Sequence, residues 1–165
     1  MNQTGEKATQ SVLPPEHYQR RYETVREHLN AQDLGALLAY SPPMDHKWAQ
    51  TGHVAWLSGW GNSDRIVESA VVVPASGEPV FLAAGMQWIL DLCGDVSPIE
   101  DRRLVQPVDP NAVAGVAGKD DRGGSSLNDF AQETDAILSE NGLAGKAIGV
   151  VGLESMPVPF HDGLK

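Results

Sequence analysis

The amino-acid sequence predicts an α/β layered domain, in which helices pack on the faces of a mixed sheet of about five strands. Two helix–glycine–strand units lie near the two ends of the chain, and a valine-rich β-hairpin lies between them. The length of 165 residues fits one compact domain. A hydrophobic share of 41%, with 21% of residues charged, is typical of a folded globular protein.

The first unit is a helix that begins at Pro14–Pro15, because proline is tolerated in the first turn of a helix. An apolar stripe with gaps of four, three and four residues follows, formed by Tyr18, Tyr22, Val25 and Leu29. Gly35 is expected to supply the left-handed residue that ends the helix. Residues 36–40 are predicted to form a short buried strand, and residues 1–12 a flexible lead-in.

A β-hairpin is predicted in the middle of the chain, over residues 69–83. Its turn contains Gly77, which is available for a positive φ. A short helix is expected at residues 86–92, followed by an edge strand within residues 99–105 and a long loop at residues 106–124. The short helix is expected to pack through Trp88, Ile89 and Leu92.

The second helix–glycine–strand unit lies near the end of the chain. Ser126 and Asp129 are predicted to cap its helix, which Asn141–Gly142 ends. The expected buried face consists of Leu127, Phe130, Thr134, Ile137 and Leu138. Residues 147–151 form the last predicted strand, so one domain is predicted over residues 13–156.

Acidic residues outnumber basic ones by 22 to 12, which gives a formal net charge of −10 and a pI near 4.8. This charge repels phosphate backbones and anionic lipids, so neither nucleic acid nor a membrane is expected as a partner. The sequence has no apolar run near the ~20 residues of a membrane-spanning helix, and residues 1–11 lack a signal-peptide pattern. Because Cys93 is the single cysteine, no internal disulfide is possible, and a cytoplasmic location is expected.

Motifs for nucleotide binding and covalent catalysis are absent from the sequence. Neither Gly118–Lys119 nor Gly145–Lys146 has the upstream glycine and the following hydroxyl of a phosphate-binding loop. Ser155 lacks the flanking glycines of a nucleophile elbow. Cys93 fits a small core residue better than a reactive thiol, because it follows the apolar Leu92 on a short predicted helix. The sequence therefore predicts no catalytic residue in this chain.

One conceivable metal site involves His46, His53 and Asp45, which share one loop and could supply three ligands. An independent metal enzyme would be the corresponding function. None of the five histidines forms an H-x-H or H-x-x-x-H pair. The favoured interpretation is one exposed loop histidine and one packed against a tryptophan, so no metal site is predicted.

The most unusual segment runs from Trp48 to Glu68 and holds three of the four tryptophans within thirteen residues. Trp56 and Trp60 would share one face if this stretch were helical throughout. Large rings beside charges and glycines are typical of a binding rim or a subunit contact. The alternative is that the tryptophans close one end of the core, and the sequence leaves both interpretations open.

The order of these segments resembles the N-terminal domain of the creatinase/prolidase/aminopeptidase P family, a ribonuclease H-like fold. The resemblance covers about residues 14–160 and rests on Leu34–Leu38, Ser41–Pro42, His53–Trp60, the hairpin, Leu143–Gly145 and Ile148–Val150. Two features depart from the family pattern. His53 stands where the family usually has asparagine, and Met44–Gly52 is an insertion before the aromatic stretch.

The resemblance implies that catalysis belongs to a separate C-terminal domain, where two Asp, one His and two Glu hold two divalent metal ions (Mn, Co or Zn). The chain alone is then expected to be inactive and to bind no cofactor. Residues 157–165, which include Pro157, Pro159 and Gly163, are expected to begin the linker to that absent domain. The implied function is the non-catalytic domain of a cytoplasmic hydrolase that cleaves an Xaa-Pro peptide or a small amidino or carboxylate compound.

The resemblance also implies a homodimer in which this domain covers the partner subunit's active site. The residues expected at this substrate rim or subunit contact are Trp60, Asp64, Arg65, His53 and Trp56. Arg65 would offer two planar donors to a substrate carboxylate, and Trp60 would exclude water. The alternative function is a stand-alone interaction module of the same fold, like the peptidase-like domain of certain histone-chaperone subunits, since the charge of −10 would suit basic partners.

Overall fold

The computed structural model of the protein describes residues 13–42, 52–60, 67–85, 87–108 and 127–165. Within these ranges the chain forms helices on both sides of one β-sheet. In chain order the elements are α1 Pro15–Ala31, β1 Ala36–Ser41, α2 Gly52–Ser58, β2 Ser69–Pro74, β3 Val80–Ala84, α3 Gln87–Gly94, β4 Asp101–Val105, α4 Phe130–Glu140, β5 Ile148–Val151 and α5 Val158–Gly163. A short 3-10 helix at Leu153–Ser155 precedes α5.

The sheet has five strands in the order β4-β3-β2-β1-β5. The pairs β1–β2 and β2–β3 are antiparallel, as the hairpin requires, whereas β3–β4 and β1–β5 are parallel. Gly77 has a φ of +110° in the turn between β2 and β3, as its position in the predicted hairpin suggests. The predicted fold class, a mixed five-stranded sheet flanked by helices, is therefore confirmed.

Alternate residues of the strands face two separate hydrophobic cores, because side chains of a strand point to opposite faces in turn. Leu38, Val72 and Leu82 face the core that α4 and α5 cover with Phe130, Ile137 and Phe160. Val71, Val73 and Phe81 face the other core, which α1, α2 and α3 cover with Tyr18, Tyr22, Leu57 and Ile89. Every residue of β2 and β3 is buried, so these strands form the centre of a three-layered domain.

The two edges of the sheet differ in chemistry. The edge strand β4 carries Asp101, Arg102 and Arg103. The opposite edge strand, β5, is uncharged and half-buried along its whole length. A groove of about 280 Å³ lies beside β5 and is lined by Val25, His28, Leu29, Gln32, Leu34, Leu37, Gly149, Val150 and Val151.

The strands β1, β3, β4 and β5 end at the same side of the sheet, where β2 begins. The register shows this directly, because Ser41 lies opposite Ser69, and Ser69 lies opposite Ala83. We call this side the carboxyl edge of the sheet. In open α/β sheets, ligand sites tend to lie beyond the carboxyl ends of the strands.

The end of α1 differs from the prediction. The residue with a left-handed conformation is Asp33, with a φ of 54°, and not Gly35. Aspartate tolerates this conformation better than most residues. Gly35 is needed for space, because a Cβ atom there would lie 2.6 Å from the Cβ of Lys146.

The buried faces of α3 and α4 also differ from the prediction. Helix α3 buries Ile89, Leu90 and Cys93, whereas the predicted core residues Trp88 and Leu92 are exposed. Helix α4 is capped by Asp129, whose side chain accepts a hydrogen bond from the backbone of Gln132, while the Gln132 side chain accepts one from the backbone of Asp129. Leu127 precedes this cap and is exposed, and Ser126 lies outside the described residues.

The segment predicted as the start of a linker, residues 157–165, contains helix α5. Phe160 of this helix is only 3% exposed and contacts the rings of Tyr40 and Phe130 in the core. The packed domain therefore continues past the predicted boundary at residue 156. The predicted lead-in at residues 1–12 and most of the predicted loop, residues 109–124, lie outside the described residues.

Candidate functional site

Helix α2 positions two of the predicted rim residues on the protein surface. His53 and Trp56 are exposed on α2, whereas Val54 and Leu57 point into the core below. The spacing of three residues places His53 and Trp56 on one side of the helix. Two other predicted rim residues, Asp64 and Arg65, lie outside the described part of the chain, as do Asp45, His46 and Trp48.

The chain leaves α2 through a turn that Ser58 and Gly59 determine. The hydroxyl of Ser58 donates to the carbonyl of Val54 at 2.7 Å and accepts from the backbone N–H of Trp60 at 3.0 Å. Gly59 has a φ of +74°, and a Cβ atom there would lie 2.9 Å from the carbonyl oxygen of Val96. This turn directs Trp60 back toward the sheet.

Trp60 packs edge-on against Phe81 of β3, with ring centroids 6.0 Å apart and an interplanar angle of 68°. Its indole nitrogen Nε1 is buried and has no hydrogen-bond partner within the described structure. An unpaired buried donor costs about 1–3 kcal/mol, so such a group in a folded protein calls for an explanation. Among the predicted rim residues that the structure describes, Trp60 is therefore the one with a buried polar atom that lacks a hydrogen-bond partner.

Trp56 and Trp60 do not share one helical face, because α2 ends at Ser58. Trp56 is 44% exposed and points outward, while Trp60 is half-buried against the core. The packing of Trp60 agrees with the interpretation in which a tryptophan closes one end of the core, whereas a role of Trp56 in a binding rim or subunit contact stays a prediction. Trp60 closes one end of the core, and Trp56 remains on the surface.

Arg21 of α1 lies between two aromatic rings. Its guanidinium carbon is 5.0 Å from the ring centroid of Tyr18 and 5.1 Å from that of Trp56. One guanidinium nitrogen also donates a hydrogen bond to the backbone carbonyl of Trp56. No local sequence pattern predicts this contact, since 35 residues separate Arg21 from Trp56 and only the fold brings α1 beside α2.

Glu68 is a buried acid at the carboxyl edge, only 1% exposed, immediately before β2. It accepts hydrogen bonds from the hydroxyl of Tyr40 at 3.3 Å and from the backbone N–H of Val108 at 2.7 Å. Burial, followed by the nearby charge of Glu68, raises the pKa of Tyr40. Glu68 thereby ties β1 and the segment after β4 to the start of β2. The sequence signal for it was a glutamate directly before a buried valine-rich strand.

A second charged cluster joins β4 to α4. The guanidinium of Arg103 contacts the carboxylates of Asp101 at 2.6 Å, Glu133 at 2.7 Å and Glu140 at 2.8 Å. Hydrogen bonds to these carboxylates raise the pKa of Arg103. Because Arg103 and Asp101 lie on β4 and the two glutamates lie on α4, the cluster holds the edge strand against the helix.

Cys93 lies in the core below α3 and has no exposed surface. Burial raises the pKa of its thiol from 9.0 to about 12, despite a hydrogen bond with Ser97 and the charge of Arg102. The thiol is therefore neutral at physiological pH and inaccessible to reagents. This agrees with the predicted role as a core residue.

The described ranges contain no group of three or more His, Cys, Asp or Glu side chains placed to hold a metal ion. No helix within them is long and apolar enough to cross a membrane.

Similar folds occur among solved structures. The N-terminal creatinase/prolidase-like domain of a protein named as a metallopeptidase from Corynebacterium diphtheriae has a TM-score of 0.51 and 15% identity, over 89% of this chain and 85% of that one. A proline dipeptidase structure from Streptococcus pneumoniae has a TM-score of 0.52 and 14% identity, over 88% of this chain and 82% of that one.

The dipeptidase PepE from Mycobacterium ulcerans has a TM-score of 0.57 and 19% identity, over 92% of this chain. The chain spans about a third of that enzyme, since the match covers 33% of its length. No protein-family model and no curated protein sequence matches the chain. The structural similarities show that the chain has the fold of a creatinase/prolidase-like N-terminal domain, and they confirm the resemblance drawn from the sequence at the level of the fold.

Proposed function

We propose, from this shared fold, that the chain serves as the non-catalytic N-terminal domain of a metal-dependent hydrolase of the Xaa-Pro peptidase or creatinase type. In this proposal the hydrolase is a cytoplasmic homodimer, and the domain contributes to dimerisation and covers the partner subunit's active site. The observation that carries the proposal is the extent of the match. About nine-tenths of the chain superimposes both on an isolated N-terminal domain and on part of a longer dipeptidase.

The proposed contact surface is the segment that begins at α2 and continues past Trp60. His53 and Trp56 supply its exposed side chains, and the half-buried Trp60 has an indole N–H for which the described residues provide no acceptor. Asp64 and Arg65 follow Trp60 by four and five residues in the sequence. Arg65 would pair with the carboxylate of a peptide or of a small amidino or carboxylate substrate, because a guanidinium binds a carboxylate through two parallel hydrogen bonds.

The two metal ions of such a hydrolase do not fit the residues described here, since no suitable group of His, Cys, Asp or Glu lies among them. We therefore assign the metal ions, Mn, Co or Zn, to a catalytic domain outside this chain. In that domain they would activate water and polarise the bond to be cleaved. No step of the reaction is assigned to a residue of this chain.

The first test is hydrolysis by the isolated chain. The purified protein is incubated with Xaa-Pro dipeptides and with creatine, in the presence of Mn²⁺ or Co²⁺, and the products are quantified. We expect no turnover. Turnover that co-purifies with the chain through repeated chromatography would contradict the proposal. A complementary test examines whether the gene continues past the codon for Lys165 with an ordered Asp, Asp, His, Glu, Glu set.

The second test concerns the contact surface. Sedimentation equilibrium of the intact parent protein measures its dimer dissociation constant with Trp60→Ala, and with Val158→Ala as a control. Val158 is 69% exposed on α5, on the opposite face of the sheet from α2. We expect Trp60→Ala to weaken the dimer and Val158→Ala to leave it unchanged. Equal dimer stability in all three proteins would remove the proposed contact.

A second candidate function is the stand-alone interaction module, and one observation favours it. A cleft of about 250 Å³ beside α1 is lined by Tyr22, two prolines and the acids Glu78, Glu100 and Asp101. A cleft that combines acids with apolar side chains suits both the charge and the aliphatic stem of a basic side chain. A pull-down with lysine-rich peptides tests this function. Binding that is lost at high salt and in the double variant Glu78→Gln/Glu100→Gln would favour it, and no binding at low salt would exclude it.

A further inference from the structure

The arrangement of Arg21 at the junction of α1 and α2 differs from that of the other buried or half-buried arginines. Arg103 is bound by three carboxylates, Arg26 donates to the backbone carbonyls of Pro74 and Gly77, and Arg102 donates to that of Ile99, while the described part of the chain places no aromatic ring over any of these three guanidinium groups. Arg21 instead contacts two aromatic rings and, among the described residues, makes one hydrogen bond, to the carbonyl of Trp56. It forms no ion pair with any residue in the described ranges.

The two rings restrict the movement of the guanidinium. Contact with the faces of Tyr18 and Trp56 stabilises the cation, and the hydrogen bond to Trp56 fixes its rotation. A guanidinium has five N–H donors, so most of them remain for another acceptor. Because the side chain is already ordered, an anion that binds here does not have to immobilise a flexible arginine.

The surface around Arg21 is free of acids on both helices. His17, Arg21, Thr24 and His28 follow one another on α1 with gaps of four, three and four residues, and so form one strip along the helix. The acids of α1, Glu16, Glu23 and Glu27, lie on a different side by the same helical spacing. Helix α2 contains no acidic residue and exposes His53 and Trp56. With the histidines counted as neutral, Arg21 carries the only charge of this strip, in a chain whose formal net charge is −10.

We propose that Arg21 and the exposed ring of Trp56 form a docking surface for an acidic segment of another protein chain. The Arg21 guanidinium binds a carboxylate of that segment, and Trp56 covers the aliphatic part of the same side chain. Tryptophan, tyrosine and arginine are the residue types most enriched where binding energy concentrates in protein interfaces. The proposal shares Trp56 with the proposed dimer contact, but it needs neither a catalytic domain nor the segment after Trp60.

The test uses the full chain and fluorescein-labelled hexaglutamate, with binding measured by fluorescence anisotropy. At 0.15 M salt the Debye length is about 8 Å, so the distant charges of the chain are largely screened. We expect Arg21→Gln and Trp56→Ala to weaken binding about tenfold or more, which corresponds to about 1.4 kcal/mol. Arg21→Lys keeps the charge but loses the planar donors, and we expect it to weaken binding as well.

Arg20→Gln is the matched control, because Arg20 is the neighbouring exposed arginine on α1 and has no ring contact. We expect it to change the affinity by less than about twofold. Urea unfolding of each variant shows whether it remains folded. The proposal is overturned if hexaglutamate does not bind the folded wild-type chain at low salt, or if Arg20→Gln and Arg21→Gln weaken binding equally. It is also overturned if inorganic phosphate or phosphatidylserine vesicles bind through Arg21 while hexaglutamate does not.

Discussion

The hydroxyl group of Tyr18 lies so close to the backbone of Gly59 that a Cβ atom on residue 59 would be 2.6 Å from the hydroxyl oxygen. This contact joins α1 to the end of α2. The same glycine has a φ of +74° and begins the turn that carries Trp60 to the sheet. The sequence Leu57-Ser58-Gly59-Trp60 therefore has a local structural reason, apart from any role in binding.

We expect Gly59→Ala to lower the free energy of unfolding by about 2–4 kcal/mol, since it adds a steric clash to an unfavourable backbone conformation. Urea unfolding measures this change. Gly142→Ala is the control for the backbone term alone, because Gly142 has a φ of +69° and no heavy atom within 4 Å of its added Cβ. We expect that variant to lower the free energy of unfolding by about 1 kcal/mol. Equal losses in the two variants would show that the contact with Tyr18 is unimportant.

A second prediction concerns the unpaired indole N–H of Trp60. We expect Trp60→Phe to leave the free energy of unfolding of the isolated chain nearly unchanged. The smaller ring loses about 1 kcal/mol of packing, but the variant also removes a buried donor that costs about 1–3 kcal/mol. Urea unfolding of both proteins tests this, with Trp60→Ala as the reference for complete loss of the ring. A loss for Trp60→Phe as large as that for Trp60→Ala would show that the N–H has an acceptor in the folded chain.

The buried thiol of Cys93 predicts a loss of stability at alkaline pH. Its pKa is about 12 in the folded protein and near 9.0 when exposed, so the unfolded chain loses the proton first as pH rises. The contribution of the protonated Cys93 thiol to the free energy of unfolding is therefore complete below pH 9.0 and decreases as pH rises toward 12. We expect the stability difference between the wild type and Cys93→Ala to shift in favour of the variant as pH rises from 7 to 10.5. A difference that does not change with pH would contradict this expectation.

The cluster around Arg103 predicts a salt-dependent effect. We expect Arg103→Ala to lower the free energy of unfolding by about 1–3 kcal/mol, because Asp101, Glu133 and Glu140 are then left without their shared cation. High salt should reduce the loss by screening the remaining carboxylates. Arg102→Ala on the same strand is the control, since Arg102 donates only to the carbonyl of Ile99 among the described contacts. A loss that is the same at low and high salt would contradict the electrostatic explanation.

Much of the fold could be predicted because its signals are local. The stripe of Tyr18, Tyr22 and Leu29 and the turn at Gly77 depend only on spacing and backbone preference. The buried face of α3 could not be predicted so well. Trp88 and Leu92 share one side of the helix and Ile89 and Cys93 share the next, so periodicity alone does not distinguish them. Ile89 and Cys93 are the buried pair because their side of the helix faces the sheet.

The candidate site was predictable only in part. His53, Trp56 and Trp60 were identified from composition, and the sequence could not show that Trp56 points outward while Trp60 points inward. That difference arises from the end of α2 and the turn at Gly59. Arg21 was missed because its partner Trp56 is 35 residues away, and Arg103 because Glu133 and Glu140 are 30 and 37 residues away. Such contacts have no local pattern.

The two edge strands of the sheet differ in how readily an additional strand can pair with them. The edge strand β4 carries three charged residues, which disfavour pairing with an additional strand, whereas β5 offers an uncharged backbone edge with an apolar hollow next to it. Engineering of this protein should respect that asymmetry. Tags and fused segments are best kept away from β5, where an extended apolar stretch could add to the sheet and promote aggregation.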